Sequence, residues 1–287
     1  MLRVSVFVDE DITTTEYMST STFRFPLAIQ TVLPENYRED KQFQQNMQTL
    51  QELGFSGVEL NMAHPDVFNL TDVSQFLADF DLTLTMFASG LTAKTYSLSL
   101  SSADQEIRQG AIDKCREIID FVTGSDAGII LGFFKGGPVP DIQAARERFR
   151  ESIVQLTPYA QDKKVRLIVE ATNRYESSVA NSLDDAVELI KDLKNPFLRI
   201  LPDTFHMNIE EADGFAALKR YITYYDSFHI SDNNRYFPGF GAIDFQKVLD
   251  VLQELGYTGS VAIEGNIKTS FIEDVKTSVD YLAPLLS

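Results

Sequence analysis

Four side chains of the types that hold hard metal ions, Glu170, Asp203, His229 and Glu264, recur through the second half of the chain at intervals of 33, 26 and 35 residues. Two Glu, one Asp and one His make an oxygen-rich set with a single imidazole. Such a set suits Mn²⁺, Mg²⁺ or Co²⁺, and Zn²⁺ less because no thiolate is present. Three carboxylates brought together without a cation are costly to bury, so a divalent metal is the natural partner. Each residue also has a plain structural reading, because a carboxylate at a strand end can cap the next helix or pair with Arg. Four of them in order and in register are harder to explain that way. Of the other two histidines, His206 is open between core and site, and His64, just before Pro65, between substrate contact and surface.

The intervals are each about one strand plus one helix long. Short β-branched or aromatic runs at 26–31, 57–61, 82–87, 128–133, 165–171, 198–202, 227–231 and 260–264 alternate with helical patterns near 40–53, 71–79, 103–123, 141–162, 182–193, 213–221, 244–255 and 269–284. Strands alternating with helices predict βαβ units and a parallel sheet. Eight units in about 265 residues have the size of a single (β/α)8 TIM barrel. The apolar strand interiors, such as Leu167-Ile168-Val169, fit a sheet buried on both faces. The expected organisation is a barrel over 24–287, with residues 1–23 as an N-terminal extension packed on it and Leu2–Val8 as an extra strand.

Local punctuation agrees. Ser102 with Gln105 predicts a capping box, and Gly54 and Gly256 sit where a left-handed residue ends a helix. The segments Leu50-Gln-Glu-Leu-Gly-Phe-Ser-Gly57 and Leu252-Gln-Glu-Leu-Gly-Tyr-Thr-Gly259 echo one another as repeated helix-to-strand turns. In such a barrel the chemistry lies at the C-terminal ends of the strands. Glu170 ends the fifth expected strand, Asp203 follows the sixth, His229 lies in the seventh and Glu264 ends the eighth.

Composition narrows the partners. There are 25 basic and 42 acidic residues, a net charge of −17, which repels phosphate backbones and argues against nucleic acid. No apolar run reaches the roughly 18 residues needed to span a bilayer. The N-terminal apolar stretch is short and stopped by Asp9 and Glu10, unlike a secretory signal, so a cytoplasmic location is expected. Cys115 is the single cysteine, which excludes an internal disulfide, and its helical spacing with Ile112 and Ile118 reads as core.

Longer motifs carry a resemblance. Glu170-Ala-Thr-Asn173-Arg174-Tyr-Glu176, Asp203-Thr-Phe-His206, His229-Ile-Ser-Asp232-Asn-Asn-Arg235 with Pro238-Gly239, and Ala262-Ile-Glu264-Gly are similar to motifs of the D-tagatose/D-psicose 3-epimerase family. That family lies within the xylose-isomerase-like sugar phosphate isomerase/epimerase barrels. The family usually has Glu where this chain has Asp232. The resemblance implies that Glu170, Asp203, His229 and Glu264 bind one divalent ion, Mn²⁺ first, and that Glu170 and Glu264 are the acid/base pair. It implies that Glu176, His206 and Arg235 hold the O1–O3 end of a sugar.

The chemistry it implies is epimerisation of a ketose at C3 through an enediolate. A proton leaves one face and returns to the other, so a base on each face serves, and a metal on O2 and O3 acts as a Lewis acid. Alternatives on the same cradle are a sugar-phosphate epimerase, an aldose–ketose isomerase or an inosose dehydratase. An endonuclease of the type that shares the barrel needs a His-rich trinuclear site, and three histidines argue against it. A non-catalytic sugar-binding protein would need no pair of bases. The expected partner is a small sugar or sugar phosphate, with a homodimer or homotetramer possible. The chain has no Trp, so Met86, Phe87, Phe133 and Phe134 are open between apolar walls of the pocket and plain core. His64, Phe87, Ser89 and the loop at 133–136 are expected to set specificity; that loop reads either as a phosphate binder through Lys135 and its backbone amides or as a plain flexible loop.

Overall fold

The computed structural model describes residues 23–286. The expected strand at Leu2–Val8, and the extension of which it is part up to residue 22, lie outside the described residues. The strands are β1 (Leu27–Val32), β2 (Gly57–Asn61), β3 (Thr83–Ala88), β4 (Gly128–Ile130), β5 (Leu167–Glu170), β6 (Leu198–Leu201), β7 (Ser227–Ile230) and β8 (Ser260–Ile263). The helices are α1 (Lys41–Glu52), α2 (Leu70–Ala78), α3 (Gly90–Thr95), α4 (Gln105–Val122), α5 (Ile142–Lys163), α6 (Leu183–Ile190), α7 (Thr204–Glu210), α8 (Gly214–Tyr221), α9 (Phe245–Glu254) and α10 (Phe271–Leu286).

All strands join one parallel sheet in the order β6-β5-β4-β3-β2-β1-β8-β7. The ring closes between β6 and β7 through a single parallel bridge, Asp203 with His229. The His229 amide donates to the Pro202 carbonyl at 2.9 Å. The Thr204 hydroxyl donates to Ser231 O at 2.6 Å and accepts from Ser231 N at 2.9 Å. Two of the candidate metal ligands therefore sit on the closing seam of the barrel.

The main core lies between the strands and the helices, and a second cluster of Met86, Ile130, Ile168 and Leu201 fills the lumen. Successive strand residues alternate between these two regions. Glu170 follows Ile168 by two, and Asp203 follows Leu201 by two, so both project inward just above the apolar plug. Cys115 is buried in the main core, as its spacing predicts.

Some local expectations need correction. The N-cap of α4 is Asp104, whose carboxylate accepts from Glu106 N and Ile107 N, and Ser102 instead accepts from Asp104 N. Strand β4 stops at Ile130, and Phe133–Lys135 form a one-turn 3₁₀ helix rather than more strand. Helices α3 and α7 are too short to leave a periodic signal. Among the described residues no helix is long and apolar enough to cross a membrane.

The echoed helix-to-strand segments end in glycine for a steric reason. A Cβ at Gly57 would press on Thr83 O, and one at Gly259 would overlap the backbone carbonyl of Asp226. We therefore expect Gly259→Ala to destabilise the barrel by about 1–3 kcal/mol, as overpacking does. Thermal unfolding should register a lower midpoint, and an unchanged midpoint would show that the backbone yields freely there.

Candidate metal centre and active site

Glu170, Asp203, His229 and Glu264 converge at the C-terminal mouth, and one ligand atom from each lies within 4.8 Å of all the others. His229 is fully buried, and each ring nitrogen lies 2.8 Å from a carboxylate: Nδ1 from Glu264 Oε2, Nε2 from Glu59 Oε2. Asp203 divides its oxygens. Oδ1 caps α7 by accepting from Phe205 N and His206 N, and Oδ2 lies 2.6 Å from the Arg235 guanidinium. Capping and a role in the cluster are thus compatible in one side chain.

Glu170 packs against Gly132, where any Cβ would strike its Oε2. Its Oε1 is buried with no hydrogen-bond partner, facing His206 Nε2 at 3.6 Å and His229 Nδ1 at 3.9 Å. An orphaned carboxylate oxygen aimed into a group of hard donors fits a divalent cation. Glu170, Asp203, His229 and Glu264 would hold it.

Electrostatics follow from crowding. Burial first, and then the Glu264 carboxylate, push the Glu170 pKa up to about 8. Burial opposes ionisation of Glu264 too, but Arg235 and His229 overcome it and hold its pKa well below the carboxylate range. Burial also opposes a charged His229, yet Glu59 and Glu264 hold its pKa well above the imidazole value. The surroundings thus drive the two glutamates apart.

The residues expected to bind substrate fall into two groups. His206, Glu176 and Arg235 line the cavity over the cluster, with Gln30, Asn61 and Phe133 on its other side. The Nδ1 of His206 accepts from Asn173 Nδ2 at 2.8 Å and Asn173 N at 3.2 Å, so its proton sits on Nε2, facing Glu170. Burial lowers the His206 pKa and keeps the ring neutral. Asn173 Nδ2 also reaches Glu176 Oε1 at 2.8 Å. Arg235 lies in the left-handed region at φ 64°. It reaches Asp203 and Ser231 through Nη1 and Glu264 through Nη2 at 2.9 Å, and it stacks over Phe205 at 5.0 Å. Asp232 anchors this loop by accepting from the amides of Asn233, Gly239, Gly241 and Ile243.

Other expected residues lie elsewhere. His64 is outside the cavity lining and meets the Tyr96 hydroxyl at 3.0 Å. Phe87 and Phe134 are wholly in the core and Met86 is in the lumen, whereas Phe133 is 45% exposed and Ser89 lines the cavity. Lys135 is turned inward and fully buried. Its ammonium donates to Glu170 O, to Thr172 Oγ1 at 2.8 Å and to Ala180 O at 3.3 Å, so it cannot meet a phosphate. Sequence reasoning passed over Glu59. Its signal was a lone carboxylate inside the apolar strand Gly57-Val-Glu-Leu.

Three comparisons bear on the whole arrangement. The family model described as "Xylose isomerase-like TIM barrel" matches residues 47–285. The chain is 27% identical over 223 residues to a ketose 3-epimerase from Arthrobacter globiformis, covering 76% of each. It is 26% identical over 249 residues to a 3-dehydro-D-guloside 4-epimerase from Escherichia coli (strain K12), covering 83% of this chain and 90% of that one. The crystal structure of an E. coli 3-keto-D-glucoside 4-epimerase superposes with a TM-score of 0.76 at 25% identity, covering 91% of this chain and 98% of that chain.

A cation at this cluster competes with protons, because Glu170 and His229 must give theirs up to coordinate. With the Glu170 pKa raised to about 8, affinity for Mn²⁺ or Co²⁺ should fall as pH drops below that value, and the contribution of Glu170 should level off above it. Each displaced proton contributes about tenfold per pH unit. Competitive titration between about pH 6 and 9 measures this, and a flat profile would contradict the cluster as the binding site.

Proposed function

The chain belongs to the xylose isomerase-like TIM-barrel family, and from that premise we propose that it is a metal-dependent carbohydrate epimerase inverting C3 of a ketose. The observation that carries the reading is the pair Glu170 and Glu264, two carboxylates with opposed pKa shifts in one ligand cluster. The relative named as a ketose 3-epimerase supports the substrate class. When bound, a divalent ion, Mn²⁺ first by donor type, supplies a Lewis acid for the negative charge developing on the sugar oxygens.

The chain's own residues do the rest. Glu264, held ionised by Arg235 and His229, takes a proton from one face of the carbon next to the ketone. Glu170 serves the other face, where burial raises its affinity for the proton it takes up and delivers, and the roles exchange in the reverse direction. The Nε2–H of His206 and the guanidinium of Arg235 offer charge-assisted or neutral hydrogen bonds to the same oxygens. Glu176, oriented by Asn173, accepts from a hydroxyl. Ser89 and the exposed Phe133 face the sugar's tail, a smaller set than the residues expected from sequence. With Lys135 buried, a sugar phosphate loses its candidate anchor.

A second reading has a specific observation behind it. The E. coli 4-epimerase matches over more of the chain than the ketose 3-epimerase does. A 3-keto-glycoside presents the same chemistry, a ketone beside an epimerisable carbon, one position along. Incubation in deuterated water with Mn²⁺, over free ketoses and 3-keto-glycosides, separates the two by which carbon exchanges its hydrogen. Exchange at ketose C3 supports the first reading, exchange at C4 of the glycoside the second, and exchange in neither overturns both.

Glu170→Gln and Glu264→Gln should each lower epimerisation by about 10²–10⁴-fold, with metal content measured alongside. If both variants keep metal and one still turns over near the parental rate, the two-base mechanism is wrong. Arg235→Ala removes a cation that shares Asp203 and Glu264 with the metal. It should therefore lower kcat/KM while metal affinity holds or rises. Loss of metal in that variant would show that Arg235 supports the ligands rather than the substrate.

A further inference from the structure

Among the described residues, Glu59 is a carboxylate in contact with the candidate centre that neither the ligand set nor the proton-transfer pair uses. It lies mid-strand in β2, fully buried, with Oε2 2.8 Å from His229 Nε2 across 170 residues of sequence. Its other oxygen, Oε1, is buried without a hydrogen-bond partner. The β2–β3 ladder is irregular at this point. Val58 pairs with Leu84 and Glu59 with Met86, so Thr85 is skipped, and its hydroxyl bonds to Val58 O at 3.1 Å. Bulges of this kind commonly re-aim a side chain next to a functional site.

A buried ion pair is weak evidence for stability, because apolar residues of similar volume often serve the fold as well or better. Placing a further carboxylate beside three others makes that worse. The position makes sense through what it does to His229. An acceptor fixed on Nε2 keeps the proton on that nitrogen and leaves the Nδ1 lone pair directed at the cluster. It also holds the ring plane and raises the basicity of the ligating nitrogen.

We propose that Glu59 is a positioning residue for the metal centre: its carboxylate accepts the Nε2–H of His229 and so presents Nδ1 as the ligand. The assignment rests on the metal-dependent reading above. It adds a fifth side chain, from the first half of the barrel, to a site otherwise supplied by β5 to β8.

The test uses the full chain with Mn²⁺ and Co²⁺, not turnover. Affinity is measured by competition with a chromophoric chelator, and the visible spectrum of the Co²⁺-loaded protein reports ligand geometry. Glu59→Leu removes the acceptor and should weaken binding by about 10–100-fold. Glu59→Gln keeps a carbonyl oxygen but no charge and should fall between Leu and the parent. Both should alter the Co²⁺ bands at saturation. A folded Glu59→Leu with parental affinity and spectrum overturns the assignment, and so does lowered thermal stability with an unchanged spectrum. If Glu59→Leu does not fold, parental affinity and spectrum in Glu59→Gln overturn it in the same way. A parent chain that binds neither ion overturns the metal reading itself, whereas a binding parent with indifferent variants overturns only the role of Glu59.

Discussion

Crowded negative charge at the mouth of the barrel is the constraint on which the site depends. Glu170, Asp203 and Glu264 face one another above an apolar plug, and Glu59 stands behind them. In such a setting the carboxylates repel strongly, and the cheapest responses are a raised pKa, a fixed cation or a bound ion. The first two are present in the arrangement, and the third has a place. Glu170 takes the raised pKa, His229 and Arg235 supply fixed positive charge, and the orphaned oxygen of Glu170 points to where an ion fits.

Much of the surrounding structure holds these charges in place. Lys135 binds the backbone at Glu170 from inside, Gly132 clears space for the Glu170 carboxylate, and Asn173 ties His206 to Glu176. Asp232 gathers four amides so that Arg235, in its left-handed conformation, can reach two carboxylates at once. The Arg235 carbonyl is pinned in turn by Asn266 N at 2.7 Å, just beyond Glu264. A non-glycine residue at positive φ persists only where neighbours over-determine it, and these contacts do so. The bidentate Arg174–Glu210 pair, its arginine exposed and its carboxylate nearly covered, clamps the motif loop onto α7.

The two halves of the barrel divide the work. The proposed ligands, proton-transfer groups and oxygen-binding groups come from the ends of β5 to β8, where the chain closes on itself through Asp203 and His229. Gln30, Asn61, Ser89 and Phe133, from the ends of the first strands, form the opposite wall. Lys94 lies 4.0 Å above the Phe133 ring, so this aromatic face of the cavity is already engaged from one side. A groove of about 440 Å³ at the other end of the barrel, beside Arg166 and Asp226, is far from this chemistry.

The eight strand–helix units and the four side chains that cluster at the mouth were legible in the residues alone. Periodicity is a local property, and in this architecture a polar residue at a strand's C-terminal end has only one place to go. Helix-ending Gly54 and Gly256, both at positive φ, and buried Cys115 were legible for the same reason. What tertiary structure decided is which side chains meet across the ring. Strand tilt and register bring Glu59 to His229, turn Lys135 inward rather than toward solvent, and leave His64 with Tyr96 outside the cavity. Neither hydrophobic pattern nor motif spacing encodes those encounters, because each depends on the closed geometry of all eight strands at once.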